Sequence, residues 1–175
     1  MSNLTSRRAL SVLIVFAGLT ALTLPGTAGP GPRSDRAMPS FQLRLLDGKL
    51  VRSSELKGRI TVIDFWGTWC RPCLTEIPGY NEFYRDYKAR GVLFIAPAVD
   101  SGTEDEVRAA IRKLGIEYPV AVPSVKELDA LGEIEAVPTT WVINKRGELE
   151  EEFLGTFPGK HQTLRALVDR LLTGK

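Results

Sequence analysis

Apolar and polar positions along this chain follow two periods, and the switches between them lay out its elements. Phe41, Leu43 and Leu45 alternate with Gln42 and Arg44, Asp47-Gly48 forms a tight turn, and Lys49-Leu50-Val51 continues beyond it, which predicts a β-hairpin. Residues 53–58 read as a short helical turn. The run Ile60-Thr61-Val62-Ile63-Asp64-Phe65-Trp66 is almost continuously apolar and rich in β-branched residues, as in a central strand covered on both faces. From Cys73, the residues Ile77, Tyr80, Tyr84 and Tyr87 recur at helical spacing, and Gly91 closes that helix. Residues 92–96 predict the next buried strand, and Thr103 with Glu106 forms a capping box for a helix reaching Leu114. A strand over 118–122, a short helix over 126–131, a strand over 140–143, a turn at Asn144-Lys145-Arg146-Gly147 and a returning strand over 148–153 follow. Leu164, Leu167, Val168, Leu171 and Leu172 mark a last helix over 164–172. Strands alternating with helices, then a hairpin and a helix, predict an α/β fold with a mixed central sheet flanked by helices.

Ahead of this pattern the chain differs in kind. Arg7 and Arg8 precede an uncharged apolar run over 9–24, and Gly26-Thr27-Ala28 sets small residues where a signal peptidase cuts. Residues 1–28 therefore read as a signal peptide cleaved after Ala28 or, if retained, as a membrane anchor. Ser6-Arg7-Arg8 also fits the start of a twin-arginine signal, so two export routes stay open. Gly29-Pro30-Gly31-Pro32 cannot hold regular structure, so 29–37 reads as a linker and 38–175 as the folded domain. The expected location is the periplasm, or the outer face of the cytoplasmic membrane, of a bacterium.

Composition sharpens this picture by exclusion. At 175 residues, 43% hydrophobic and 25% charged, the chain suits one globular domain. The formal charge is +2, and losing Arg7 and Arg8 leaves 21 basic against 21 acidic residues, so there is no basic excess to grip nucleic acid. One histidine and two cysteines cannot build a four-ligand zinc site of cysteines and histidines or a multi-bridge disulfide framework. The two cysteines, Cys70 and Cys73, stand in Cys-Arg-Pro-Cys where the predicted central strand hands over to a helix. Free backbone N–H groups and the helix dipole favour a thiolate at Cys70; Arg71 adds positive charge, and Pro72 preorganises the first turn. Cys73 lies on the buried stripe. Such a pair suits a nucleophile, Cys70, and a resolving thiol, Cys73. An inert bridge closing so short a loop would add little stability. A two-thiolate metal site finds no convincing third ligand in His161, Met1 or Met38.

The segment Phe65-Trp66-Gly67-Thr68-Trp69-Cys70-Arg71-Pro72-Cys73, with Pro78 and the distant Val137-Pro138-Thr139-Thr140, resembles the thioredoxin superfamily. The resemblance is closest to exported TlpA/ResA-type thiol-disulfide oxidoreductases and covers about 38–172. It implies a thioredoxin fold with an N-terminal β-hairpin and a central helix–strand insertion. It also implies that Pro138 is a cis-proline facing the cysteines, with Val137, Thr139 and Trp69 bordering the substrate. Asp64 matches the buried acid of thioredoxin. An ionised carboxylate inside an apolar strand is expensive, so Asp64 should hold its proton more tightly than usual and be able to take that of Cys73. Glu76, three residues after Cys73, matches an active-site acid of ResA-type proteins, and the division of proton transfer between Asp64 and Glu76 stays open.

The implied activity is reduction of protein disulfides, including the haem-site cysteines of apocytochrome c during cytochrome c maturation. A membrane thiol–disulfide transporter would donate the electrons, and no cofactor or metal is needed. Two rivals are a thiol peroxidase of the same fold, which would need a threonine where Gly67 stands, and a copper metallochaperone, which would need a nearby histidine. Trp66 and Pro78 read as structural, His161 as a surface residue, and Glu150-Glu151-Glu152 as a solvated strand end. Gly132-Glu133-Ile134-Glu135-Ala136 departs from the family's glycine-and-apolar sequence before its cis-proline, which leaves substrate preference open.

Overall fold

Strand β4 (Thr61–Phe65) is buried along its whole length, as its near-continuous apolar run requires, and the rest of the domain is arranged around it. The computed structural model describes residues 36–132 and 134–174; the predicted signal peptide, most of the linker and Glu133 lie outside them. Against one edge of β4 runs β5 (Leu93–Pro97), parallel, and against the other β7 (Thr139–Ile143), antiparallel. β6 (Val120–Ala121), β8 (Glu148–Leu154) and the two-residue β1 (Arg36–Ala37) complete a mixed six-stranded sheet in the order β1-β8-β7-β4-β5-β6. The predicted hairpin, β2 (Gln42–Arg44) and β3 (Leu50–Arg52), stands as a separate two-stranded sheet.

Strand parity divides the interior into two cores. Ile60, Val62 and Trp66 face one side with Phe94, Ala96 and Val142, and meet α1 (Arg71–Lys88) and α4 (Lys160–Thr173). Ile63 and Phe65 face the other with Ile95, Trp141 and Ile143, where the hairpin's Phe41, Leu43 and Leu45 pack. Helices α2 (Glu104–Leu114) and α3 (Val125–Leu131) each begin with a capping box, Thr103 with Glu106 and Ser124 with Glu127. The segment α2–β6 lies between β5 and β7 in the chain and carries the sheet to its β6 edge. Among the described residues, no helix is long and apolar enough to cross a membrane.

Two differences from the sequence pattern bear on the site. α4 starts at Lys160, a turn before its first leucine, and Lys160 is buried although a lysine adds nothing to the apolar pattern. The sheet also takes in Arg36–Ala37, which pair with Leu149 and Glu148; two residues of backbone pairing leave no hydrophobic signature.

Candidate active site

The chain leaves the C-terminal end of β4 through Trp66, Gly67, Thr68 and Trp69 and enters α1 with Cys70 as its N-cap. Cys70 and Cys73 are joined as a disulfide, and the Cys73 N–H donates to Cys70 Sγ at 3.2 Å. Both residues are buried, while Trp69 beside them is 60% exposed. Trp69 is fixed by its indole N–H, which donates to the Val99 carbonyl at 3.2 Å, and its ring lies across Gly67. A Cβ at Gly67 would come within 2.8 Å of that ring, so the position has no room for a side chain unless Trp69 moves. Trp66 is core, its indole N–H directed at the Ala96 carbonyl. α1 continues through Pro78, which leaves the Leu74 carbonyl without its usual helical donor.

The antiparallel register of β7 on β4 brings the second part of the site alongside. Phe65 lies opposite Thr139, so Pro138 and Val137 fall just past the end of β4, level with the segment leading to Cys70. The Val137–Pro138 bond is cis, and half-buried Val137 packs against the core cluster that holds Cys70 and Cys73. Thr139 is turned inward, its hydroxyl donating to the Ala136 carbonyl at 2.7 Å, so its side chain shapes the loop from within.

The face of β4 that meets α1 carries a buried polar cluster. Asp64 shares the strand face of Val62 and Trp66, so β4 aims its carboxylate at α1 and into the core that contains Cys73. Its register partner Thr140 donates to Asp64 Oδ1 at 2.8 Å, and Tyr80 Oη stands 2.7 Å from the same Thr140 oxygen. A threonine hydroxyl has one proton, so Tyr80 donates to Thr140 while Thr140 donates to Asp64. Burial pushes Asp64 up to about 7, against the opposing pull of the Lys160 charge and the Thr140 hydrogen bond. Burial, reinforced by the Asp64 and Glu76 charges, pushes the Tyr80 phenol well up and keeps it a donor. Glu76 is buried one turn into α1, and Lys160 Nζ donates to its Oε2 at 3.0 Å and to the Gly155 carbonyl at 2.9 Å.

Cys70, Cys73, Asp64, Glu76 and the Val137–Pro138 loop therefore converge at one end of the sheet, with Trp69 at the rim. Lys160 was invisible to the motif. Its only signal is position: Lys160, Leu164, Leu167 and Val168 share the buried stripe of α4, a charged residue on an apolar face. His161 is not the surface residue that the sequence predicts. Its ring sits edge-on to Tyr80 at 4.6 Å and lies over Gly79, where a Cβ would come within 2.5 Å of it. Burial lowers the proton affinity of this imidazole, and among the described residues its Nδ1 has no hydrogen-bond partner. Among the described residues, no cluster of three or more histidine, cysteine or acidic side chains could hold a metal ion.

Thr140→Val tests the hydroxyl bridge. It keeps the shape but leaves Asp64 and the Tyr80 hydroxyl without their shared partner, at an expected cost of about 1–3 kcal/mol. The Asp64 titration should also move to higher pH, because the lost hydrogen bond favours the carboxylate. Urea unfolding and a carboxyl-carbon NMR titration check the two effects.

Comparison with known proteins places this arrangement. Residues 35–152 match the model of the AhpC/TSA family. A protein named thiol-disulfide oxidoreductase ResA, from Bacillus thuringiensis strain Al Hakam, is 35% identical over 147 residues, spanning 82% of this chain and 84% of its own. A crystal structure of a putative thiol:disulfide interchange protein DsbE from Chlorobium tepidum superposes with a TM-score of 0.69 at 28% identity, over 80% of this chain and 97% of that one. StoA from Bacillus subtilis superposes with a TM-score of 0.63 at 25% identity, over 74% and 97%.

Proposed function

The chain belongs to the AhpC/TSA family and is a thiol-disulfide oxidoreductase of the ResA/DsbE type, acting on protein disulfides; from that premise we propose that it is an exported reductase serving cytochrome c maturation or a related assembly task. The observation that carries this reading is the inequivalence of the two sulfurs. Cys70 caps α1 beside an exposed tryptophan and level with the cis-proline loop, whereas Cys73 lies within the first helical turn, on the side of β4 where Asp64 and Glu76 are buried. The electron donor is a membrane thiol–disulfide transporter, and the location is the outer side of the bacterial cytoplasmic membrane.

In this mechanism the Cys70 thiolate attacks one sulfur of a substrate disulfide. A Cys70–substrate disulfide forms, and the other substrate sulfur leaves as a thiolate that takes up a proton. Cys73 then gives its proton to a buried carboxylate, and its thiolate attacks Cys70 Sγ. The Cys70–Cys73 disulfide closes, and the second substrate thiolate leaves and is protonated. Two electrons have passed to the substrate, and the protein ends in the disulfide form seen here. Val137 and Pro138, with Trp69 opposite, border the approach to Cys70. Gly67 stands where peroxidase chemistry would need a threonine, and the Trp69 ring lies over the space that side chain would take, which counts against that reading.

Cys73→Ala tests the reading directly. Without the resolving thiol, the Cys70–substrate bond should persist, so the variant expressed in cells should carry covalent protein adducts that thiol reductants release. Apocytochrome c among them would support the maturation role. An empty Cys70 under these conditions overturns the proposal.

A further inference from the structure

Asp64 and Glu76 are buried on the side of β4 whose core holds Cys73, and the buried cation Lys160 lies beside them. The contacts of that cation are unequal. Lys160 Nζ donates to Glu76 Oε2 at 3.0 Å and to the Gly155 carbonyl at 2.9 Å, and lies 5.8 Å from the centre of the Tyr80 ring. Lys160 and Glu76 side chains are 1% and 5% exposed, so the pair is shielded from water. Asp64 has hydroxyl partners instead, Thr140 directly and Tyr80 behind it. A buried carboxylate paired with an ammonium has its charge balanced on the spot; one met only by hydroxyls does not, and holds its proton more readily.

We propose that Lys160 is a positioning residue that divides the two acids between two tasks: by engaging Glu76 as an ion pair it leaves Asp64 as the acceptor of the Cys73 proton. The inference rests on the disulfide-exchange reading above and assigns the second proton transfer within it. The Cys73 S–H bond breaks and an O–H bond forms on Asp64; the electron pair left on sulfur forms the Cys70–Cys73 bond as the Cys70–substrate S–S bond breaks, and the substrate sulfur leaves as a thiolate that takes up a proton from solvent. Lys160 acts through Glu76 and through its field at Asp64 and touches no reacting atom. The groups facing Asp64 are Thr140 from β7; Glu76 and Tyr80 from α1; Lys160 from α4; and Tyr118 ahead of β6. Behind Tyr80 stands His161, also from α4. Burial holds both tyrosines protonated and His161 toward its neutral form, so the ion pair beside Asp64 is that of Glu76 with Lys160.

This arrangement makes predictions of opposite sign. Lys160 favours the Asp64 carboxylate and Glu76 opposes it, and Lys160 has the larger influence. Asp64 can be followed by carboxyl-carbon NMR across pH in the oxidised full chain, alongside the pH dependence of insulin disulfide reduction by the reduced protein. Lys160→Met should move the Asp64 midpoint up, by roughly 1–3 pH units. Glu76→Gln should move it down and keep a neutral-range inflection in the reduction profile. The double variant Glu76→Gln/Lys160→Met, which buries no unpaired charge, should again move it up. Lys160→Arg should restore a midpoint near that of the wild type. Loss of the inflection in Glu76→Gln would give the proton to Glu76 and overturn the assignment, as would an unmoved Asp64 midpoint in both Lys160→Met and the double variant. A wild-type chain unable to reduce insulin would instead strike the disulfide-reductase reading, while the NMR titration would still report the Lys160–Glu76–Asp64 coupling.

Discussion

Asp64→Asn is expected to gain stability relative to the wild-type chain as pH rises from 4 to 8, by about 4 kcal/mol over that range. The sign follows from the direction of the shift. Asp64 is pushed up from 3.8 to about 7 in the folded protein, with burial as the largest cause. Between those values the folded chain keeps the proton while the unfolded chain has released it. Raising the pH therefore favours unfolding, and the stability held by the neutral carboxyl is full below pH 3.8 and lost as pH passes 7. Asparagine keeps the Thr140 hydrogen bond through its amide oxygen but never ionises. Its extra N–H donors add an offset independent of pH, so the test lies in the slope of the difference. Urea unfolding of both oxidised proteins at several pH values gives that slope, and parallel stability curves would place Asp64 outside the linkage.

The second large effect is on turnover. Cys70→Ser replaces the attacking thiolate by a hydroxyl that does not ionise near neutrality and does not open disulfides. Insulin reduction should fall by at least on the order of 10^4-fold, as when a covalent nucleophile is removed from other enzymes. Cys73→Ala should fail in a different place, losing repeated turnover while still forming the first mixed disulfide in stoichiometric amount. Turnover by Cys70→Ser within tenfold of wild type would reassign the nucleophile.

The sequence made the frame of the site legible because that frame is periodic and punctuated. The apolar run 60–66 fixed the buried central strand, and the same parity that buries Val62 and Trp66 on one side puts Asp64 with them. Cys70 at a strand-to-helix switch fixed the polarity of the pair. The cis form of the Val137–Pro138 bond followed from the resemblance, and the register of Phe65 against Thr139 places that loop level with the cysteines. What stayed hidden was the electrostatic content. A lysine at the start of a helix ordinarily reaches water, and nothing in local sequence reveals that Gly155 and Glu76 close around Lys160 from elsewhere in the chain. His161 escaped for a related reason: its place against Tyr80 depends on Gly79, a gap opposite it on another helix. Thr140 was visible as part of a motif, but its role as a bridge needed the β4–β7 pairing.

The disulfide also has an analytical consequence. The chain contains two cysteines, and both are in the Cys70–Cys73 pair. A thiol-reactive mass tag added to quenched cells can then attach to a molecule twice when the pair is open and not at all when it is closed, while a molecule caught holding a substrate through one sulfur takes a single tag. The ratio of these three species on one gel is a direct ledger of electron flow through the protein, with no background thiol to subtract.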